Sequence, residues 1–256
     1  IKTRAVRDGD EWIVDGAKTY ITNGVRADFL TCVVKTDPSQ GSRGVSLMLI
    51  DTDLEGVTVS RNLKKLGMKS SDTAEFSLVG VRVPNDNLIG LVPGQGFAQL
   101  MWQLQYERLA GAAAGIGQAD DILAETIEFA RNRETFGRPI AQHQVIAHKI
   151  ADAATELEAA RALLYSVVWR IQNGEYPVAE ISMAKKYVAQ VQNRVADVCL
   201  QIHGGAGVSN DFPLAYMYAM QRTLRLADGP DEVHRAAIGK FEIGKYVPKE
   251  LMRGGQ

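Results

Sequence analysis

The spacing of hydrophobic and polar positions changes about a third of the way along the chain. Over residues 1–91 the apolar positions form short runs rich in β-branched residues, which are typical of strands. These runs predict six strands, at Lys2–Val6, Glu11–Val14, Leu30–Lys35, Val45–Asp51, Val57–Arg61 and Thr73–Val83. Asp8-Gly9 and Asp15-Gly16 are hairpin turn sequences, so we expect a turn at each of them.

Beyond Pro93, apolar positions recur every three or four residues in long stretches without proline, which is the pattern of amphipathic helices. This spacing predicts helices at about 95–131, 140–173, 177–203, 213–222 and 230–246. The chain is therefore expected to be an α+β protein, with a β domain over 1–92 and a helical domain over 93–256. We place the boundary near Pro93-Gly94 and expect the helices to form a four-helix bundle.

Composition excludes several classes of protein. The chain has 256 residues, of which 46% are hydrophobic and 23% charged, as in ordinary globular proteins. Its net charge of −1 offers no electrostatic basis for nucleic-acid binding. The apolar run Leu109–Ile116 has eight residues, against the roughly 20 that a membrane-spanning helix needs. Cys32 and Cys199 stand alone in apolar stretches, which argues against a disulfide framework and fits a reducing compartment.

Other polar residues point to no metal site and no charged partner. The four histidines are His143, His148, His203 and His234. They lack metal-ligand spacing with cysteine or acidic residues, so we expect them to be surface or packing residues. The short charge pairs Lys64-Lys65 and Lys185-Lys186 are interpreted as solvent-exposed.

Local motifs carry more information about function. The β part contains Tyr20-Ile21-Thr22-Asn23-Gly24, Lys65-Leu66-Gly67-Met68-Lys69-Ser70-Ser71-Asp72-Thr73 and Val81-Arg82-Val83-Pro84. The helical part contains Arg133-Glu134-Thr135-Phe136-Gly137-Arg138-Pro139-Ile140, then Gln144, and later Gln201-Ile202-His203-Gly204-Gly205-Ala206-Gly207. In this order and spacing, over essentially the whole chain, the motifs resemble the acyl-CoA dehydrogenases. These flavoproteins introduce an α,β double bond into acyl-CoA thioesters.

The resemblance implies a β-barrel-like middle domain followed by a C-terminal four-helix domain, assembled as a homodimer or homotetramer. Family members usually have a further N-terminal helical domain, and we expect that the sequence printed here does not include it. Because the sequence opens with Ile1 in a strand-like stretch, we expect it to be part of a longer enzyme. Such an enzyme would act in fatty acid metabolism, in the cytoplasm of a bacterium or in a mitochondrion or peroxisome of a eukaryote.

The resemblance also assigns contacts to FAD. Tyr20 would cover one face of the flavin ring, and the hydroxyl of Thr22 would bond its N5 edge. Arginine supplies a planar charged fork for a pyrophosphate and phenylalanine a face for adenine. The residues assigned to the adenosine-diphosphate half, from a neighbouring subunit, are Arg133, Phe136, Gln144, Gln201, Gly204 and Gly205. Pro230 and Glu232 complete the assigned FAD contacts.

Some of these residues have ordinary structural interpretations as well. Tyr20 and Thr22 could be a core tyrosine and a surface threonine of a strand. Arg133 could be a solvated helix end, and Gly204-Gly205 a helix C-cap. The glycines follow a predicted helix rather than a strand, so they are not a dinucleotide-binding fingerprint.

Dehydrogenation across Cα–Cβ requires a carboxylate for the α-proton, an acceptor for the β-hydride and donors to the thioester oxygen. Side chains cannot accept hydride, whereas FAD can at N5. In the commonest family pattern the base is a glutamate just before the last helix, and the matching residue here is Asp228. Its arm is one methylene shorter, so the backbone or the substrate must compensate.

Ala227 replaces a tyrosine that borders the pocket, which favours branched, hydroxylated or bulky acyl chains, and Gly229 lies in the same substrate loop.

A second carboxylate is the alternative base. Glu107 lies on the first long helix, where the isovaleryl type of the family places its base. Next to it, Arg108 matches a buried arginine that would favour ionised carboxylates. In structural terms Asp228 could instead be an N-cap of the helix near Pro230, and Glu107 a surface carboxylate.

The sequence therefore predicts a FAD-dependent acyl-CoA dehydrogenase that passes electrons to an electron-transferring flavoprotein. One alternative is an acyl-CoA oxidase, which carries out the same half-reaction with oxygen as the acceptor. The other is a non-catalytic interaction module that keeps the fold.

Overall fold

The computed structural model describes residues 1–247 and divides the chain into two compact units. The division lies between Gln103 and Leu104, inside the helix that begins at Gly96. The sequence places the domain boundary slightly earlier, near Pro93-Gly94. Within residues 1–247, no helix is both long and apolar enough to cross a lipid bilayer.

The first unit is a six-stranded sheet. Its strands are β1 (Arg4–Asp8), β2 (Glu11–Thr22), β3 (Phe29–Lys35), β4 (Val45–Asp51), β5 (Val57–Asn62) and β6 (Thr73–Pro84). Their order is β4-β3-β1-β2-β6-β5, and all pairs are antiparallel except β1 with β3. Met48 of β4 and Val57 of β5 contribute to one core although both strands are at the sheet edges, which is the barrel-like arrangement expected.

Strand β2 is much longer than the sequence predicts. The expected turn at Asp8-Gly9 is confirmed, but the one at Asp15-Gly16 is wrong because β2 continues through it to Thr22. There the pairing with β6 shifts register, and the Asp15 carboxylate accepts a hydrogen bond of 2.7 Å from the amide of Gly80. A Cβ on Gly16 would lie 2.7 Å from the Cα of Thr3, so glycine is required for close packing rather than for a turn.

The second unit is helical. Its elements are α1 (Gly96–Asn132) from Leu104 onward, α2 (Gln144–Gln172), α3 (Val178–His203), α4 (Leu214–Gln221) and α5 (Asp231–Gly244). A two-stranded hairpin, β7 (Glu134–Thr135) and β8 (Arg138–Pro139), joins α1 to α2. The five predicted helices are confirmed within a few residues, except that residues 140–142 form a short 3-10 turn before α2. Ala112, Leu157 and Val188 join α1, α2 and α3 in one core.

Helix α3 carries a charge on its buried side. Lys185 is completely buried, so its assignment to a solvent-exposed pair is wrong. It stands four residues after Ile181 and three before Val188, which places it on the apolar stripe of the helix. Lys186, the next residue, is only half-buried.

Candidate functional site

Asp228 and Gly229 form a sharply bent loop just before α5. Asp228 has φ of 53° and Gly229 φ of 106°, both in the left-handed region. A non-glycine residue there stores about 1 kcal/mol of strain, which a surrounding structure must offset. The N-cap of α5 is Pro230, without a side-chain cap, so Asp228 does not have the N-cap role that the sequence left open.

Two cationic side chains hold the backbone of this loop. The Nε of Arg108, on α1, donates a hydrogen bond of 2.9 Å to the carbonyl oxygen of Asp228. The Nζ of Lys185, on α3, donates one of 2.7 Å to the carbonyl oxygen of Gly229. Hydrogen bonds from charged donors are about twice as strong as neutral ones. The loop is therefore fixed at consecutive peptide groups from two different helices.

The Asp228 carboxylate is half-buried and faces α1. Its Oδ2 lies 3.7 Å from the position that a Cβ on Gly111 would occupy, one helical turn beyond Glu107. Burial raises the pKa of Asp228, and the negative charge of Glu107 adds to this, while Lys185 and Arg108 oppose it. A carboxylate with a raised pKa is a better proton acceptor.

The alternative base Glu107 lies on the exposed face of α1. The neighbouring Arg108 is buried, as the resemblance implies. Burial lowers the pKa of this guanidinium, and the charge of Asp228 acts in the opposite direction. The structure thus brings both candidate carboxylates and the predicted arginine into one electrostatic cluster.

Sequence reasoning missed the contribution of α5 to this cluster. His234 is buried against the loop, with its Nε2 3.2 Å from the place of a Cβ on Gly229. Burial, then the charges of Lys185 and Arg108, lower the pKa of His234 to about 4, so the ring is neutral near pH 7. It is a packing residue, as expected, but one that touches the candidate catalytic loop.

Asp231 is the second buried polar residue of α5. Burial alone would raise its pKa, but hydrogen bonds from Gln190 (3.0 Å) and Arg225 (2.9 Å) outweigh burial and lower it. The i, i+3 spacing of Asp231 and His234 on a predicted helix was the signal that both share one face.

The hairpin between α1 and α2 presents Phe136 to solvent. This ring is 97% exposed and its backbone has φ of 53°. His143 braces the hairpin: Arg138 donates to its Nδ1 at 3.2 Å, and its Nε2 lies 3.1 Å from the hydroxyl of Thr135. Arg133 and Gln144 are also exposed on this connection, Arg133 just before β7 and Gln144 at the first position of α2. The structure therefore places three of the six predicted adenosine-diphosphate contacts on one connecting segment, while Gln201, Gly204 and Gly205 lie at the end of α3.

The glycine loop after α3 has an open backbone. Gly204 ends the helix as its C-cap, with φ of 60°, so the structural interpretation of this glycine holds. Gly204 and Gly205 are both exposed, with open space where a Cβ would stand, although the amide of Gly204 already donates to the carbonyl oxygen of Gln201. Gln201 is exposed, whereas His203 is buried and its ring stacks on Phe129 at 4.1 Å.

In the first unit, the end of β2 carries Tyr20 and Thr22. Tyr20 is 76% exposed with φ of 63°, so the core-tyrosine interpretation is wrong. Thr22 lines an open cavity of about 390 Å³ together with Asn23 and Phe29. The Nζ of Lys18, in the same lining, donates to the carbonyl oxygen of Val33.

The remaining predicted residues lie around the Asp228 loop. Ala227 is exposed, Pro230 precedes α5, and Glu232 is exposed in its first turn, 3.5 Å from Arg235. Residues 1–247 contain no group of three histidine, cysteine or acidic side chains that could hold a metal ion.

Comparison with known proteins identifies the family of both units. Residues 1–81 match the family model for the middle domain of acyl-CoA dehydrogenase, and residues 94–242 match the model for its C-terminal domain. The subunit CarC of the caffeyl-CoA reductase-Etf complex of Acetobacterium woodii is 36% identical over 245 residues, covering 96% of this chain and 64% of that protein.

Solved structures of acyl-CoA dehydrogenases and a related oxidase have a similar fold. A probable acyl-CoA dehydrogenase from Mycobacterium abscessus has a TM-score of 0.91 and 43% identity, covering 95% of this chain and 64% of that one. The prolyl acyl carrier protein oxidase AnaB has a TM-score of 0.90 and 31% identity, with coverages of 95% and 64%.

The chain thus spans slightly less than two thirds of the length of these relatives. Both family models match in the order in which the two units follow each other along the chain. The chain belongs to the acyl-CoA dehydrogenase family, of which it carries the middle and C-terminal domains.

Proposed function

We propose that the complete protein is a FAD-dependent acyl-CoA dehydrogenase in which Asp228 removes the α-proton of an acyl-CoA thioester. The observation that carries this proposal is the Asp228 loop, with its half-buried carboxylate and two carbonyl groups held by Arg108 and Lys185. Burial and the neighbouring Glu107 raise the pKa of Asp228, which suits a proton acceptor near neutral pH.

The residues present fit a bound FAD, and the family consists of FAD-binding flavoproteins. The exposed ring of Phe136 offers a stacking face, and the exposed glycines after α3 leave room for a diphosphate to approach the backbone closely. When bound, the flavin supplies the hydride acceptor that no side chain can provide. The residues that would hold it are Tyr20, Thr22, Arg133, Phe136, Gln144, Gln201, Gly204, Gly205, Pro230 and Glu232.

The loop can accept the α-proton and also stabilise the negative charge that develops on the thioester oxygen. Asp228 accepts the proton from the α-carbon, and its raised pKa helps the carboxyl to retain that proton. Arg108 withdraws electron density from the carbonyl of Asp228 and so polarises the amide N–H of Gly229 in the same peptide group. In our proposal this N–H donates to the thioester oxygen, where negative charge develops.

The substrate side of the proposal rests on small residues beside the base. Ala227 is exposed and short, and Gly111 has no side chain opposite the Asp228 carboxylate. Both leave room near the reacting carbons, which favours branched, hydroxylated or otherwise bulky acyl groups.

As the physiological electron acceptor we propose an electron-transferring flavoprotein, supported by the similarity to CarC, which is named as part of an Etf complex.

Substitution of the two carboxylates tests the assignment of the base. Asp228→Asn and Glu107→Gln each remove a charge with little change of shape, and Glu125→Gln on the exposed side of α1 is a matched control. With an acyl-CoA that the wild type oxidises, anaerobic single-turnover flavin reduction should fall by about 1,000-fold or more in Asp228→Asn. We expect less than about a 10-fold loss in Glu107→Gln and none in the control.

The reverse result, with reduction abolished only in Glu107→Gln, would assign the base to Glu107. Equal collapse in both variants would mean that the two carboxylates titrate as a coupled pair. Substrate binding, measured by the perturbation of flavin absorbance, should survive in all three variants.

Oxidase activity is the second candidate, favoured by the structural similarity to AnaB. The yield of peroxide compared with dye reduction distinguishes an oxidase from a dehydrogenase. A complete protein purified without flavin absorbance, and unable to take up added FAD, would favour the non-catalytic module and refute both enzymatic proposals.

A further inference from the structure

Lys185 is an ammonium group placed where lysine is rarely found. Its side chain is 0% exposed on the inner face of α3. Lysine is almost never fully buried without a partner, because removing the charge from water costs several kcal/mol. Burial lowers the pKa of Lys185, while the charges of Asp228 and Asp231 partly offset that effect.

The contact made by this ammonium explains its position. Its Nζ donates to the carbonyl oxygen of Gly229, directly after the candidate base. Lys186, by contrast, reaches only the side chain of Gln190, at 3.4 Å. The two adjacent lysines therefore have separate environments, and only Lys185 reaches the loop.

Arg108 and Lys185 fix different peptide groups. Arg108 holds the group between Asp228 and Gly229, and Lys185 holds the group between Gly229 and Pro230. Peptide groups are planar, so fixing both of them determines φ and ψ of the glycine between them. Gly229 is the residue of this loop with the greatest conformational freedom. Without Lys185, one of the two planes would lose its charged anchor.

We propose that Lys185 is a positioning residue, whose ammonium holds the carbonyl of Gly229 and thereby fixes the location of the Asp228 carboxylate. This inference rests on the proposed function of Asp228 as the base. Lys185 does not touch the reacting atoms, and it acts through the backbone of the loop and through its charge.

The charges that surround Asp228 come from three helices. Helix α1 contributes Glu107 and Arg108, and α3 contributes Lys185. Helix α5 contributes Asp231 and the neutral His234, which act on Lys185 and on the loop. Lys185 is thus one of two positive charges that counteract burial and the repulsion from Glu107 at the Asp228 carboxylate.

The test uses the complete flavin-loaded protein with three variants. Lys185→Met keeps the length of the side chain but removes the donor and the charge. Lys185→Gln keeps a shorter donor without the charge, and Lys186→Met is the matched control. We expect Lys185→Met to slow single-turnover flavin reduction by about 10- to 100-fold, as for a misplacement of about 1 Å. FAD content and the dissociation constant of an acyl-CoA should change by less than about threefold, and Lys186→Met should resemble the wild type.

The pH profile separates positioning from simple loss of packing. The positive charge of Lys185 lowers the pKa of Asp228, so its removal raises that pKa. Flavin reduction requires the ionised carboxylate, and therefore the acidic limb of the rate profile should move to higher pH in both Lys185 variants. Lys185→Gln should recover part of the plateau rate because it can still donate. A purely structural role would lower the rate without moving the limb.

Amide hydrogen exchange gives a readout independent of activity. The backbone amides of residues 226–229 should exchange faster in Lys185→Met than in the wild type, and their exchange should be unchanged in Lys186→Met. Wild-type rates and an unmoved acidic limb in both Lys185 variants would overturn the proposal. Failure of both variants to fold would do so too, because it would assign Lys185 to folding alone.

The two proposals fail in different ways. A wild type that holds FAD but is reduced by no acyl-CoA would refute the proposed function. In that case the amide exchange of residues 226–229 still reports whether Lys185 holds the loop. A wild type that is reduced normally, with Lys185 variants that match it, refutes only the role of Lys185.

Discussion

The buried imidazole of His234 makes the stability of the helical unit depend on pH in a defined direction. The side chain is 1% exposed, and burial together with Lys185 and Arg108 lowers its pKa from 6.5 to about 4. Between these values the unfolded chain binds a proton that the folded chain does not. The free energy of unfolding contributed by this group is therefore complete above pH 6.5 and is lost as the pH falls towards 4.

The size of the effect follows from the shift. One pKa unit corresponds to about 1.4 kcal/mol, so His234 should reduce the free energy of unfolding by about 2 kcal/mol at pH 5 and about 3 kcal/mol at pH 4. Total stabilities of domains are about 5–15 kcal/mol, so the loss is large enough to measure.

The substitution His234→Gln isolates this contribution, because glutamine is polar but does not titrate. Wild type and variant share all other titrating groups, so the difference between their stabilities reports on His234. From pH 7 to pH 5 the wild type should lose about 2 kcal/mol more than the variant. Urea unfolding followed by amide hydrogen exchange of peptides from α3 and α5 measures the stability of this unit.

A direct measurement complements the variant. Exchange of the imidazole C2 hydrogen of His234, followed by mass spectrometry against pH, should have its midpoint near pH 4 in the folded protein. In urea the midpoint should return to about 6.5. A folded-state midpoint near 6.5, or parallel stability curves for wild type and variant, would refute the reasoning, since the ring would then be solvated or paired with a negative charge.

Three further predictions concern packing, the exposed hairpin and an ion pair. In thermal unfolding, Gly115→Ala should destabilise the protein by about 1–3 kcal/mol, because the new Cβ would lie 2.4 Å from a side-chain oxygen on α3. Gly117→Ala has open space around its Cβ and should stabilise the protein by about 0.5–1 kcal/mol. Phe136→Ala should change stability by less than about 0.5 kcal/mol but increase the release of FAD on dilution, seen as flavin fluorescence. Arg161 contacts both carboxylate oxygens of Asp120, and a double-mutant cycle of Arg161→Ala with Asp120→Asn should give a coupling of about 0.5–1 kcal/mol.

Helices and turns that depend only on neighbouring residues could be predicted from the sequence. The helices follow from proline-free stretches with apolar positions at helical spacing, and their ends agree within a few residues except at α2. The turn expected at Asp15-Gly16 failed because the outcome there depends on other strands. The strand continues through this dipeptide because the amide of Gly80 bonds Asp15 and Thr3 packs closely against Gly16. The residues next to the dipeptide in sequence give no sign of these two contacts.

The same distinction applies to the candidate site. The family resemblance selected Asp228, Glu107 and Arg108 as candidates, and the structure brings them into one cluster. Lys185 was misassigned because a pair of adjacent lysines resembles a solvated surface. Its spacing from Ile181 and Val188 placed it on the apolar stripe, and this was the signal available. That a buried lysine is tolerated there depends on the carbonyl of Gly229, which is 44 residues away along the chain.

The shorter arm of Asp228 gives the backbone anchors a specific purpose. Aspartate lacks one methylene relative to the glutamate of the commonest family pattern, which shortens its reach by about 1.5 Å. A flexible side chain can correct a small error in backbone position, but a short one cannot. With Asp228 as the proposed base, the features that would compensate are its left-handed φ, the glycine after it and a cationic donor on each of the two following peptide groups. In the proposed mechanism, placement that a longer side chain would achieve by rotation is achieved by the backbone, which two buried cations hold.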